Sequence, residues 1–271
     1  MSVLRPNASV MGLPYTAPGN APRGFTLGEH VDPEDPLEVG NSSNPHGKPR
    51  AIGPMGRRFQ PYKNNGGTVV AVSGKDYSVI ASDTRLGSGY SVPSRNVSRI
   101  IKLTDKCVLA SSGMQSDIAV LHKVLRIRLT QYQYAHHQEM SLTAISQMLS
   151  TMLYYRRFQP YYTFNVLGGI DAEGHGWSYS YDAIGSHEKV RAVCSGTGQN
   201  LLQPILDNQV EFRQTAPEKK PEELSLEPCV ELVKDAFTSA GERDIYTGDI
   251  VELAKVTAKG VEIEKFELRS D

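Results

Sequence analysis

Six short segments stand out in this chain for residues whose types and order could do chemistry. In order they are Gly66-Gly67-Thr68-Val69-Val70-Ala71, Ala81-Ser82-Asp83-Thr84-Arg85, Arg99-Ile100-Ile101 and Ser111-Ser112-Gly113-Met114-Gln115-Ser116-Asp117. Val193-Cys194-Ser195-Gly196-Thr197-Gly198 and Glu242-Arg243-Asp244-Ile245-Tyr246-Thr247-Gly248-Asp249 complete the set. Hydroxyl and carboxylate groups recur in it. A threonine or serine hydroxyl attacks a carbonyl only if a neighbouring group takes its proton. Arg99 cannot be that group near neutral pH, because a guanidinium keeps its proton to a pKa above about 12.

Other chemistries lack their pattern. His136-His137 ends an expected helix with no second ligand pair at a useful spacing, which is the arrangement of solvated surface rather than of a metal site. Gly66-Gly67 and Gly168-Gly169 do not make a nucleotide-binding glycine loop, and no Gly-x-Ser-x-Gly elbow occurs. No cofactor is implied.

The elements that must position these segments read clearly from Gly66 onward. Val69–Val72 and Tyr77–Ser82 flank the turn Ser73-Gly74-Lys75-Asp76, and Ile100–Leu103 and Cys107–Ala110 flank Thr104-Asp105-Lys106, so the domain should open with two β-hairpins. Ile118, Leu121, Val124, Leu125 and Leu129 make one helical stripe. Ser141 should cap a second helix striped by Leu142, Ile145, Met148, Leu149, Met152 and Leu153. Strands are expected at 163–170, 176–181 and 190–194. A helix should follow from near Gly198, with Pro204 in its first turns. Residues 214–224 read as a charged loop, Ser225 opens another helix, and strands at 250–257 and 261–268 close the chain. Strands in blocks and helices in pairs argue for an α+β fold with helices outside stacked antiparallel sheets.

Residues 1–65 differ. Ten of the sixteen prolines fall in residues 1–61, among Gly and Asn and without a sustained apolar period. This stretch reads as an extended or disordered arm, with a surface extension and a processed propeptide both open. Residues 66–271 form the domain. The chain as a whole is 39% hydrophobic and 22% charged, with a formal net charge of −1. Nothing in that balance points to nucleic acid or to a membrane surface, and no apolar run approaches the roughly 20 residues of a membrane span. The start lacks the pattern of a secretory signal. The three scattered cysteines, Cys107, Cys194 and Cys229, suit reduced thiols in the cytoplasm or nucleus. In that setting the triplets at Asn7, Asn41 and Asn96 read as chance matches to a glycosylation site.

Taken together and in order, the six segments resemble those of proteasome β-type subunits. Arg156-Arg157-Phe158-Gln159-Pro160-Tyr161-Tyr162, Leu206-Asp207-Asn208-Gln209-Val210 and Phe237-Thr238-Ser239-Ala240-Gly241-Glu242-Arg243-Asp244 narrow the resemblance to the eukaryotic beta-6 branch. It covers about three quarters of the chain and leaves out residues 1–65.

The resemblance implies the N-terminal nucleophile hydrolase fold, a four-layer αββα sandwich of two antiparallel sheets flanked by helices. In active members a propeptide is cut after a glycine to expose a threonine nucleophile. A lysine and the new amine handle its proton, a carboxylate holds the lysine, and a glycine amide forms the oxyanion hole. Carried over by position, Asp83 matches the carboxylate and Gly113 the oxyanion glycine. Ser195, Asp244 and Thr247 match the set that orients the nucleophile, with Thr247 in place of a serine. Arg99 stands where the lysine belongs, and Gly66 or Gly67 stands at the nucleophile position.

The expected function is therefore structural. The resemblance places the chain in a four-ring core particle of α and β subunits, beside beta-5 and beta-7 and served by regulatory caps, and the Asp83–Arg99 pair should bind the first hairpin to the next strand. One alternative is an active threonine peptidase using Thr68. Another is a free-standing binding protein unrelated to proteolysis.

Overall fold

The computed structural model describes residues 61–213 and 223–270. The proposed arm, apart from residues 61–65, and most of the loop expected at 214–224 lie outside the described residues. Among those described there are twelve strands and four helices. Strands β1 (Thr68–Ser73) and β2 (Tyr77–Asp83) form the first expected hairpin. Next come β3 (Leu86–Ser88) and β4 (Ser91–Ser94). Strands β5 (Ile100–Thr104) and β6 (Cys107–Gly113) are the second expected hairpin. After helices α1 (Gln115–His136) and α2 (Leu142–Tyr155) come β7 (Thr163–Ile170), β8 (Gly176–Tyr181), β9 (His187–Val190) and β10 (Ala192–Gly196). The chain then runs through α3 (Gln199–Gln209), α4 (Leu226–Gly241), β11 (Ile250–Thr257) and β12 (Gly260–Glu267).

The sheets are antiparallel. One has the order β10-β1-β2-β11-β12, the other β5-β6-β7-β8-β9, and β3-β4 stands apart as a two-stranded ribbon. The period-two alternation of side chains sorts the apolar residues into three layers. Val70 and Val72 of β1 and Val79 and Ala81 of β2 pack on Leu202 and Leu206 of α3 and on Val230, Val233 and Phe237 of α4. Their alternates Val69, Ala71 and Ile80 turn inward against Val108, Ala110 and Val166 of the second sheet. Beyond that sheet, Leu109 and Leu167 meet Leu121 and Leu125 of α1 and Ile145, Leu149 and Leu153 of α2.

Helices outside and two sheets inside make the four-layer αββα sandwich. Ser141 caps α2 as expected, accepting from the Ala144 amide at 3.3 Å. Pro204 lies inside α3, in its second turn. The β3–β4 ribbon is not among the expected strands, and the strand expected at 190–194 is divided between β9 and β10. The three cysteines are unpaired and buried.

Gly168 shows how closely the sheets approach. A Cβ there would lie 2.5 Å from Ser78 Oγ and 2.6 Å from Ile80 Cδ1 across the interface. Gly168→Val should therefore overpack the central layer at a cost of about 1–3 kcal/mol. The expected readout is a lower thermal unfolding midpoint than wild type. An unchanged midpoint would show that the sheets separate easily here.

Candidate functional site

The site forms where β1 begins and β2 ends. Antiparallel pairing of Val69 with Ser82 brings Thr68 alongside Asp83. The Thr68 amide donates to Asp83 Oδ1 at 2.8 Å, and the Gly248 amide donates to Oδ2 at 3.4 Å. Asp83 has no exposed surface. Burial pushes its carboxyl up to about 6, against the opposing pull of Arg99 and of the two amides.

Arg99, just ahead of β5, is also fully buried. Its Nε lies 3.6 Å from Asp83 Oδ1, an ion pair longer than a hydrogen bond. Its Nη2 donates to the Arg85 carbonyl, while Nε and Nη1 have no hydrogen-bond partner among the described residues. Burial lowers its proton affinity and Asp83 raises it.

Gly67 separates the two readings of the nucleophile position. It lies over the Arg99 guanidinium, and a Cβ there would overlap Nε and Cζ. Its φ of +92° is also one that a side chain disfavours. Gly66 turns the other way, and its Cβ would meet Tyr246 Cβ at 2.8 Å. Arg99 thus fills the space that a side chain at 67 would need.

Gly113 closes β6, and its amide donates to the Gly66 carbonyl at 3.3 Å. The donor matched to an oxyanion hole therefore already faces a carbonyl of the same chain. Thr68 is buried, and its hydroxyl lies 2.6 Å from Thr247 Oγ1 and accepts from the Gly198 amide at 2.9 Å. Thr247 Oγ1 donates to Asp244 Oδ2 at 2.7 Å, so Thr68 is the donor to Thr247. Ser195 lines the adjoining cavity of about 170 Å³, along with Gly66, Gly67, Ser112 and Gly113. No hydrogen bond among the described residues joins Ser195 to Asp244 or Thr247. The structure thus gathers Gly67, Asp83, Arg99, Gly113, Asp244 and Thr247, and adds Thr68 to the polar network.

Asn65 and Tyr246 also belong to the site, and sequence reasoning misses both. Asn65 falls in the stretch assigned to the arm, and Tyr246 carries no charge or nucleophile. Elsewhere, Asp171, Glu173 and His175 come close enough to hold a cation. However, Asp171 is already engaged by the amides of Glu173 and His175 and by Trp177 Nε1, as a turn-forming aspartate.

A family model described as proteasome subunit matches residues 63–256. The chain belongs to the proteasome subunit family, and within it stands with the β-type subunits. It is similar to proteasome subunit beta type-1 of Dictyostelium discoideum, 51% identical over 216 residues that cover 79% of this chain and 91% of that protein. Proteasome subunit beta type-1 of Petunia hybrida is 50% identical over 218 residues, covering 79% of this chain and 97% of that protein.

Arg99→Ala would leave Asp83 buried without its counter-charge, at a cost of about 3–5 kcal/mol. The variant should enter particles poorly, and particles that do form should keep their peptidase activity. Normal incorporation would show that the pair does not hold the site together. Asp83 also sets a pH dependence. Its folded value lies above the ordinary 3.8, so its contribution to stability is full below pH about 4 and is lost as pH rises through about 6. Wild type should lose thermal midpoint relative to Asp83→Asn across that interval, with a constant gap above it. A flat gap throughout would place the carboxyl in its ordinary range.

Proposed function

We propose that this chain is a non-catalytic structural β subunit of the 20S proteasome core. It completes the β ring and so serves both ubiquitin- and ATP-dependent and ubiquitin-independent degradation. The observation that carries this reading is the Arg99 guanidinium in the space that a nucleophile at Gly67 would need. Closing a heteromeric ring needs two different flanking surfaces, and a subunit can supply them without cutting peptides. Its proposed ring neighbours are beta-5 and beta-7, its other contacts are α subunits and the opposite β ring, and regulatory caps act through the whole particle. Its proposed location is the cytoplasm and nucleus.

The buried state of Thr68 argues against the active-peptidase alternative. Its amide is held by Asp83 and its hydroxyl by Thr247 and Gly198. The base would still be an arginine. Any trimming of the arm is then the work of an active neighbour, upstream of Gly66.

Particles treated with a threonine-directed covalent inhibitor should carry adducts on active subunits and none on this chain. An adduct on Thr68, or a mature chain beginning at Thr68, would overturn the non-catalytic reading.

A further inference from the structure

We infer that Asn64–Gly66 is a fixed intramolecular occupant of the groove that an extended peptide would pair with, so that this subunit is closed to peptide binding as well as to peptide cutting. The groove lies between β3, the end of β6 and the start of α1. Asn65 uses four groups to span it. Its amide donates to the Gly113 carbonyl at 3.1 Å, and its carbonyl accepts from the Gly87 amide at 3.0 Å. Its Nδ2 donates to the Gly87 carbonyl at 3.1 Å, and its Oδ1 accepts from the Gln115 amide at 3.0 Å.

The last bond has a second role. Gln115 is the first residue of α1, and Met114 before it provides no side-chain cap. Asn65 supplies that acceptor from a distant part of the chain. Gly66 extends the strand-like contact through its carbonyl, which takes the Gly113 amide. Asn64 Oδ1 accepts from the Gly66 amide at 2.9 Å and fixes the turn. Upstream, the Tyr62 hydroxyl donates to the Pro160 carbonyl at 2.8 Å, and its ring lies 5.8 Å from that of Tyr162.

An extended peptide added to a strand edge is recognised through backbone amides and carbonyls. Here the amides of Gly87, Gly113 and Gln115 and the carbonyls of Gly87 and Gly113 are already taken. A peptide from outside could bind only by displacing residues 64–66. This inference rests on the subunit reading only in that the assembled particle is the object tested. It concerns binding, so it can fail while the non-catalytic reading stands.

The test uses whole particles whose active subunits have been blocked with a covalent inhibitor. The probe is an extended eight-residue peptide carrying a photoreactive diazirine side chain. Asn65→Pro removes the amide and both side-chain groups, three of the four bonds. Wild type should show no crosslink to the segment around Gly113, and Asn65→Pro should show at least a tenfold gain there. Equal labelling of wild type and variant would overturn the inference, and so would labelling of neither. If Asn65→Pro does not assemble, hydrogen exchange on wild-type particles decides: the Gly87, Gly113 and Gln115 amides should exchange as slowly as strand amides. Fast exchange at these three would show that the segment does not occupy the groove.

Discussion

A guanidinium without access to water imposes the main constraint on this structure. A buried charge is tolerated only beside a counter-charge, and Arg99 has Asp83. Asp83 must in turn be held in place, which the amides of Thr68 and Gly248 do. Those amides belong to the start of β1 and to the turn ahead of β11. One ion pair therefore ties together the beginning of the first hairpin, the approach to β5 and the last pair of strands. It also requires glycine at 67, because any side chain there would overlap the guanidinium.

The chain just ahead of β1 also takes part in the fold. In an active relative, cleavage ahead of the nucleophile would free the preceding chain. Glycine at 67 offers no hydroxyl at that position. The fold uses residues 62–66: Asn65 caps α1 and bridges β3 to β6, and Tyr62 contacts the loop after α2. On the non-catalytic reading proposed above, a segment that an active subunit would discard is part of the framework.

Much of this was legible in the sequence because burial follows periodicity. Strands β1, β2, β5, β6, β7 and β8 announce themselves by short apolar runs beside turns, and α1 and α2 by stripes at three-and-four spacing. The β3–β4 ribbon does not, because Leu86-Gly87-Ser88 and Ser91-Val92-Pro93-Ser94 are short, rich in Gly, Ser and Pro, and carry little apolar surface. Strand β9 is a polar edge, His187–Val190, and escapes for the same reason. At the site, the motifs matched to the family identified Asp83, Arg99 and the glycines by position. They could not show which glycine faces Arg99, since that depends on two backbone torsions and on the path of a side chain from another strand. Asn65 escaped because polar residues beside prolines look alike whether they are solvated or tightly bonded.

The retained polar residues also make sense without catalysis. Thr68, Thr247 and Asp244 form a chain of hydroxyl donors ending on a carboxylate, and the Gly198 amide completes it. Removing one member would leave another buried polar group unsatisfied, at a cost of about 1–3 kcal/mol. Such a network can be maintained by its own packing, with no need of chemistry. Gly67 and Arg99 are different, because Arg99 as placed leaves no room for a side chain at 67. A hydroxyl-bearing residue at 67 has no room until Arg99 is replaced, and a smaller residue at 99 leaves Asp83 without its counter-charge until the site is repacked. Position 67 can therefore accept a side chain only after position 99 changes, and position 99 can change only if Asp83 keeps a counter-charge.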